Sequence, residues 1–311
     1  MTSDDTARPV PPGLSRSIDT LAALTPEQAD AVLALLADAA RADGQQAVSE
    51  QGRLQLRGGA REGVSHFLLS VGGELVGYAQ LEDTDPVEAP AAELAVHPAH
   101  RGHGHGRALG SALLAASGKR LRVWAHGGHS AARHLAQVLG LTLFRELRQL
   151  RRPLTDLELP EPKLPEDVTV RTFVPGEDDA AWLAVNAAAF AHHPEQGSLT
   201  QRDLDDRKGE AWFDPEGFFL AFRDGELVGF HWTKTHAAER LGEVYVIGLR
   251  PGAQGGGLGR ALTTIGLRHL AERGLPTAML YVDADNTAAV SLYERLGFDT
   301  HETDLMYRTE S

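Results

Sequence analysis

The sequence predicts an α/β (α+β) fold built as a tandem repeat of two domains, each a mixed sheet with helices on both faces. Internal repetition is the first observation behind it. AVHPAHRGHGHGRALGSALLA (Ala95–Ala115) lies over GLRPGAQGGGLGRALTTIGLR (Gly248–Arg268), with Pro98 and Pro251 153 positions apart. The same offset places Gly104, Gly106 and Arg107 on Gly257, Gly259 and Arg260. Upstream, GELVGYAQ from Gly73 matches GELVGFHW from Gly225; downstream, HSAARHLAQVLGL from His129 matches NTAAVSLYERLGF from Asn286, in the same order. The second observation is the succession of strand and helix patterns inside each half. A length of 311 residues suits two domains, each large enough to bury a core without metal or disulfide staples.

Residues 1–17, with Asp4, Asp5 and three prolines, read as a flexible tail without the basic start or apolar core of a secretory signal. Thr25 to Ala42 predicts a helix, with Thr25 as cap, Pro26 in the first turn and apolar residues at helical spacing. HFLLSVGGELVGYAQ in the first half and GFFLAFRDGELVGFHW in the second each predict two strands around a glycine-containing turn. A further strand (Ala92 to Val96; Gly242 to Leu249) leads into a glycine loop and an apolar helix. A strand (KRLRVWAH; TAMLYVDA) and a helix ending at Leu-Gly follow. Between the halves, RRPLTDLELPEPKLPEDVTVR holds four prolines and five acids and reads as an extended connector. The first domain is therefore expected over 18–155, the linker over 156–168 and the second domain over 169–311.

Thirty basic residues against 43 acidic ones give a formal charge of -13, which argues against a partner held by phosphate neutralisation, such as duplex nucleic acid. No apolar run approaches the ~20 residues a membrane span needs; the most apolar early stretch, Ala29 to Ala40, is broken by Asp30 and Asp38. The absence of cysteine removes disulfides, iron–sulfur clusters and thiol nucleophiles. Seven of the 14 histidines fall between His97 and His134, but none has the H-E-x-x-H spacing of a zinc site, so no metal is expected. These features together point to a cytoplasmic monomer acting on a small molecule.

The loops Arg101–Gly106 (RGHGHG) and Gln254–Gly259 (QGGGLG) each join a strand to a helix N-terminus. Glycine permits positive φ, so successive N–H groups can point at one anion, and the helix dipole adds about half a positive charge there. Such a loop suits a pyrophosphate. A P-loop is excluded because neither copy ends in Gly-Lys-Ser/Thr, and a dinucleotide fold is disfavoured because the loop follows several strands.

The pattern Arg/Gln-x-x-Gly-x-Gly after a strand, then a helix, a strand and Asn-x-x-Ala-x-x-x-Tyr-x-x-x-Gly-Phe, resembles the GNAT N-acetyltransferase superfamily in both halves. That resemblance implies acetyl-CoA as cosubstrate. More narrowly, the tandem together with HPEQG (His193–Gly197), RKGEAWFDPEG (Arg207–Gly217), GFHWTK (Gly229–Lys234), GEVYVIG (Gly242–Gly248) and LYVDADN (Leu280–Asn286) is similar to members that acetylate the cysteinyl amine of a cysteine–glucosamine–inositol conjugate. In the first half only the loop and WAHG (Trp124–Gly127) stand out.

Acyl transfer to an amine needs a neutral amine and a proton for the departing thiolate. Tyr293, seven residues after Asn286, suits the proton donor; the first half has Ala136 there and His129 opposite Asn286, so the second half is the expected catalytic domain. Glu243 opens the strand feeding the loop and shares a sheet face with Tyr245, and the family places a general base on this strand. Resemblance assigns Glu50, Glu195, Lys234, Glu243 and Tyr281 to the acceptor pocket; Glu50 would place that pocket between the domains. It assigns cofactor contacts to Ile247, Gly248 and Leu249 through their backbones, to Gln254, Gly255, Gly256, Gly257, Leu258, Gly259 and Arg260 at the pyrophosphate, and to Asn286, Thr287, Ala288, Ala289, Val290 and Ser291 near the pantetheine. In the first half Leu94, Ala95, Val96, Gly102, His103, Gly104, His105, Gly106 and Arg107 take those places. Gly255 and Gly256, and His103 and His105, stand where the family commonly has basic residues. Two other functions stay open on the residues alone: acetylation of another amine, such as an aminoglycoside or a protein N-terminus, and non-catalytic sensing of acyl-CoA.

Overall fold

The computed structural model describes residues 15–85, 87–155, 159, 161–191 and 194–310, with the side chains of Pro194 and Glu195 left outside the description. In chain order the first elements are β1 (Arg16–Leu21), α1 (Pro26–Asp43), α2 (Glu50–Leu54), β2 (Val64–Val71), β3 (Glu74–Glu82), β4 (Ala91–Val96), α3 (His105–Ala116), β5 (Arg122–Ala125), α4 (Ser130–Val138) and β6 (Leu141–Pro153). Then come β7 (Val168–Thr172), α5 (Asp179–Ala189), α6 (Pro194–Gly197), α7 (Gln201–Lys208), β8 (Phe218–Arg223), β9 (Glu226–His236), β10 (Leu241–Leu249), α8 (Leu258–Glu272), β11 (Thr277–Asp283), α9 (Thr287–Arg295) and β12 (Asp299–Thr309). Strand β1 already begins at Arg16, inside the stretch expected as tail; residues 1–14 lie outside the described residues.

The chain forms two compact units, Met1–Leu147 with Thr303–Ser311, and Arg148–Glu302. This division does not follow the expected linker at 156–168. The second part of β6 lies with the second unit and the last part of β12 with the first, so each half of the sequence gives its final strand to the other unit. Nothing local could have shown it, because an alternating strand reads the same whichever sheet receives it. Of the expected linker, residues 156, 157, 158 and 160 lie outside the described residues.

In the first unit the strand order is β1-β2-β3-β4-β5-β12, antiparallel except for β4 and β5. The first hairpin turns at Gly72 (φ 60°) and Gly73 (φ 88°), the twist that suits a two-residue turn. Leu68 and Tyr78 pack with Val32, Leu35 and Leu36 of α1, while Phe67, Leu69 and Ala79 pack with Leu109 and Leu113 of α3. One helix layer therefore covers each face. Thr25 and Gln28 form the capping box that starts α1, each backbone N–H donating to the other's side chain, and left-handed Gly44 ends the helix. In the second unit the order is β7-β8-β9-β10-β11, with the Arg148–Pro153 part of β6 beside β11. Trp182 and Val185 of α5 and Leu204 of α7 cover one face, against Phe218, Phe230 and Trp232. Helices α8 and α9 cover the other, through Leu267, Leu270 and Tyr293 against Val244, Leu280 and Val282.

The WAHG segment pins the last strand into the first unit. The His126 ring donates through Nε2 to Glu93 at 2.8 Å and through Nδ1 to Asp304 at 3.0 Å, and the Gly127 N–H donates to Asp304 at 2.8 Å. Burial alone would depress the imidazole, but the hydrogen bonds and charges of Asp304 and Glu93 outweigh it and push His126 up to about 10. Because the folded value exceeds the ordinary ~6.5, the stabilisation is fully present below about 6.5 and is lost as pH rises through about 10. Thermal unfolding should therefore show Tm falling between pH 7 and 10. A fall of 2–4 °C corresponds to about 1 kcal/mol in a unit of this size. His126→Gln should lower Tm at pH 7 and flatten that slope; a variant as steep as the parent would assign the slope to other groups.

Candidate active site

Helices α3 and α8 start at Gly104 and Gly257, both left-handed and neither providing a side-chain cap, so the first-turn N–H groups face outward for an anion. Gly255, Gly256 and Gly257 run consecutively at φ 91°, 60° and 83°, a path side chains rarely adopt, while Leu258 is buried and anchors the helix. Gln254 and Arg260 are exposed and Gly259 half-buried beside them. In the first unit Gly102 and Gly104 are left-handed and Gly106 follows inside α3. The His103 ring donates to the Arg101 carbonyl at 2.9 Å. His105 is buried, and burial, reinforced by the positive charge of Arg16, lowers its pKa; it enters this site neutral, not as a cation. Arg107 is exposed, and the Arg16 guanidinium donates to the Gly104 carbonyl at 3.4 Å.

Each loop is fed by a strand that parts from its parallel neighbour. The β10–β11 ladder ends at Val244 and Leu280, and the β4–β5 ladder at Ala92 and Val123. Beyond those points Leu94, Ala95 and Val96, and likewise Ile247, Gly248 and Leu249, stay paired on one edge only, to β3 and β9. Their other edge faces the gap and can hydrogen-bond an extended ligand as a strand would. A β-bulge between Val244 and Val246 sharpens the divergence in the second unit. A side chain at Gly248 would collide with Phe230 at 2.9 Å, so packing requires glycine there. These features fit the pantetheine and pyrophosphate of acetyl-CoA.

Glu243 stands opposite Lys234 in the β9–β10 register, which puts both side chains on the face covered by α5 and α7. Only 7 % of Glu243 is exposed, and the His236 ring donates to its Oε2 at 2.6 Å. The Lys234 ammonium lies over the rings of Trp212 (4.5 Å) and Tyr245 (5.0 Å), confirming that Tyr245 shares the face of Glu243. The Arg207 Nε donates to the Tyr245 hydroxyl at 2.8 Å. On β11, Tyr281 is exposed and accepts from Gln149 Nε2 at 2.8 Å. Glu50 opens α2 in the first unit, and the Glu195 side chain lies outside the described residues.

Tyr293 sits on the opposite face. Asn286 caps α9 by accepting the Ala289 N–H at 3.1 Å, which sets the helix so that Tyr293, almost two turns on, packs beside Phe298 with Val244, Leu280, Val282 and Val290. Thr287 and Ala288 are exposed at the helix start and Ser291 is half-buried. Val244 and Leu280 are the last paired residues before the gap, so Tyr293 shares a core cluster with the residues at its root. Burial pushes the Tyr293 hydroxyl up to about 12, and among the described residues it has no hydrogen-bond partner. The gap thus separates a buried carboxylate on one face from a protonated phenol on the other. In the first unit Ala136 is buried at the position of Tyr293, and Glu93, just past the end of the ladder, is held by His126 and by the Ser49 N–H and hydroxyl.

His236, Arg207 and Trp212 were not singled out from the sequence. Arg207 and Trp212 lie in the quoted RKGEAWFDPEG string, but nothing in their spacing brings α7 to β10; His236 reaches Glu243 only through hairpin register. Among the described residues no group of three or more His, Cys, Asp or Glu side chains could hold a metal ion, and no helix is long and apolar enough to cross a membrane.

Family models match the two units separately: Acetyltransferase (GNAT) domain over residues 62–140 and Acetyltransferase (GNAT) family over residues 185–298. Among curated relatives, mycothiol acetyltransferase of Streptomyces coelicolor is 83% identical over the full length of both chains. That of Thermobispora bispora is 55% identical, covering 91% of this chain and 97% of the relative. A solved tandem GNAT protein from the clavulanic acid biosynthesis pathway superposes with a TM-score of 0.73 at 19% identity, over 95% of this chain and 98% of that one, and so speaks for the fold alone.

Proposed function

The chain belongs to the mycothiol acetyltransferases, tandem members of the GNAT family, and from that premise we propose how its second unit makes mycothiol. It is an acetyl-CoA-dependent N-acyltransferase, and the acceptor is the cysteinyl amine of the cysteine–glucosamine–inositol conjugate. Acetyl-CoA supplies the acetyl thioester. The glycine loop and the first turn of α8 hold its pyrophosphate, and Ile247, Gly248 and Leu249 align its pantetheine through their backbones. Glu243 accepts the proton that the cysteinyl ammonium must lose. The amine nitrogen bonds to the acetyl carbon, the carbon–sulfur bond breaks, the Tyr293 hydroxyl gives its proton to the departing thiolate, and the second proton lost by the nitrogen restores the phenol. Lys234 and Tyr281 donate to sugar or inositol hydroxyls on the face of Glu243. The first unit keeps an acetyl-CoA loop without this acid–base pair. The enzyme acts in the cytoplasm.

The observation that carries this reading is the pairing of Glu243 and Tyr293 on opposite faces of one strand gap. A glutamate is a sufficient base here, since neutralising an α-amine at pH 7 costs about 1 kcal/mol against nearly 5 for a lysine. Mass spectrometry of reactions with acetyl-CoA and a panel of amines tests it. Acetylation of the cysteinyl conjugate at nitrogen with release of CoA is expected. Product only from an aminoglycoside or a protein N-terminus would replace the acceptor, and no product from any amine would leave an acyl-CoA sensor.

A further inference from the structure

We propose that His236 is a positioning residue for acetyl transfer: by holding one carboxylate oxygen of Glu243 it turns the other toward the acceptor amine. This rests on the reading of Glu243 as the base. Residues His236 and Lys234 project from one face of β9, and the register sets Glu243 beside both. The 2.6 Å contact engages Oε2, whereas Oε1 makes no hydrogen bond among the described residues. Glu243 is buried, while a quarter of the His236 side chain is open to solvent. The His236 N–H supplies the buried carboxylate with a donor and fixes its rotamer. Lys234 does not replace it, because its ammonium lies over the Trp212 and Tyr245 rings. Among the described residues, other charged or titratable groups on this face or on the helices that cover it include Tyr245 with Arg207 from α7, Asp179 of α5 with Lys208 of α7, Tyr281 and Asp283 on β11, and Arg151 on β6.

Two variants separate positioning from a structural part. His236→Leu deletes the donor, and kcat with both substrates saturating should fall about tenfold, short of the roughly 100-fold a misplaced reacting group can cost. The KM for acetyl-CoA should stay unchanged. His236→Gln restores a neutral donor and should recover most of kcat at the pH optimum. An amide, unlike an imidazole, gains no positive charge at low pH, so the acid limb of kcat should move to higher pH in this variant. Thermal unfolding of both variants is recorded alongside; a Tm collapse in His236→Leu leaves the decision to His236→Gln. A parental acid limb and parental kcat in His236→Gln, together with a parental kcat in a folded His236→Leu, would overturn the proposal. Glu243→Gln measured in the same series isolates the premise: if that variant keeps full kcat, Glu243 is not the base, and if it loses kcat while both His236 variants keep it, only the positioning role fails.

Discussion

Tyr293→Phe should reduce the single-turnover rate of acetyl transfer by roughly 100-fold or more, the scale of a lost general acid. The substitution removes only a hydroxyl. The ring keeps its edge contact with Phe298 and its place among Val244, Leu280 and Val290, and the hydroxyl gives up no hydrogen bond among the described residues, so Tm should change little. Acetyl-CoA affinity should persist, because the phosphates are proposed to be held by backbone N–H groups of the glycine loop, which this substitution leaves alone. A phenol held near 12 is protonated throughout the working range, so it has a proton to give. The first unit supplies an internal control: Ala136→Tyr should create no second active site, since Glu93 there is already bound by His126 and Ser49. A Tyr293→Phe rate equal to the parent's with both substrates saturating would return Tyr293 to the core.

Glu243→Gln should reduce turnover by a comparable factor at neutral pH, most severely below the pKa of the acceptor amine, where the base is needed. Raising the pH should partly rescue it, because the amine then deprotonates unaided, and the recovery should follow a single ionisation near the α-amino value of about 7.7 to 8.0. Glutamine retains the shape and can still accept from His236, so loss of fold is not the expected cause of a defect. A rate defect constant across pH would point to a lost contact, not to a lost base.

Much of this was legible in the sequence, and the reasons are local. The Thr25 cap, the glycine hairpin turns and the two left-handed glycine loops each depend on residues within a few positions of one another. The shared face of Glu243 and Tyr245 follows from strand periodicity, although the bulge between Val244 and Val246 alters the count on which that inference rested. Three-dimensional juxtapositions were not legible. Asp304 meets His126 across 178 positions, and Arg207 meets Tyr245 across 38 with no periodicity linking them. His105, which as a histidine beside a phosphate loop invites a cationic role, is kept neutral by burial that the loop sequence does not encode.

The exchange of final strands has a consequence for how such a chain can be inherited. Tyr307, contributed by the end of the second half, is part of the first unit's core, and Leu150 and Leu154, contributed by the end of the first, are part of the second's. After the duplication that the repeat records, neither copy remained a separable gene segment. A deletion that discarded the first half would also strip the second unit of core residues, and a truncation at the C-terminus would damage the first unit's core. Purifying selection on either half thereby extends to the other, because each supplies core residues to the unit built from its counterpart.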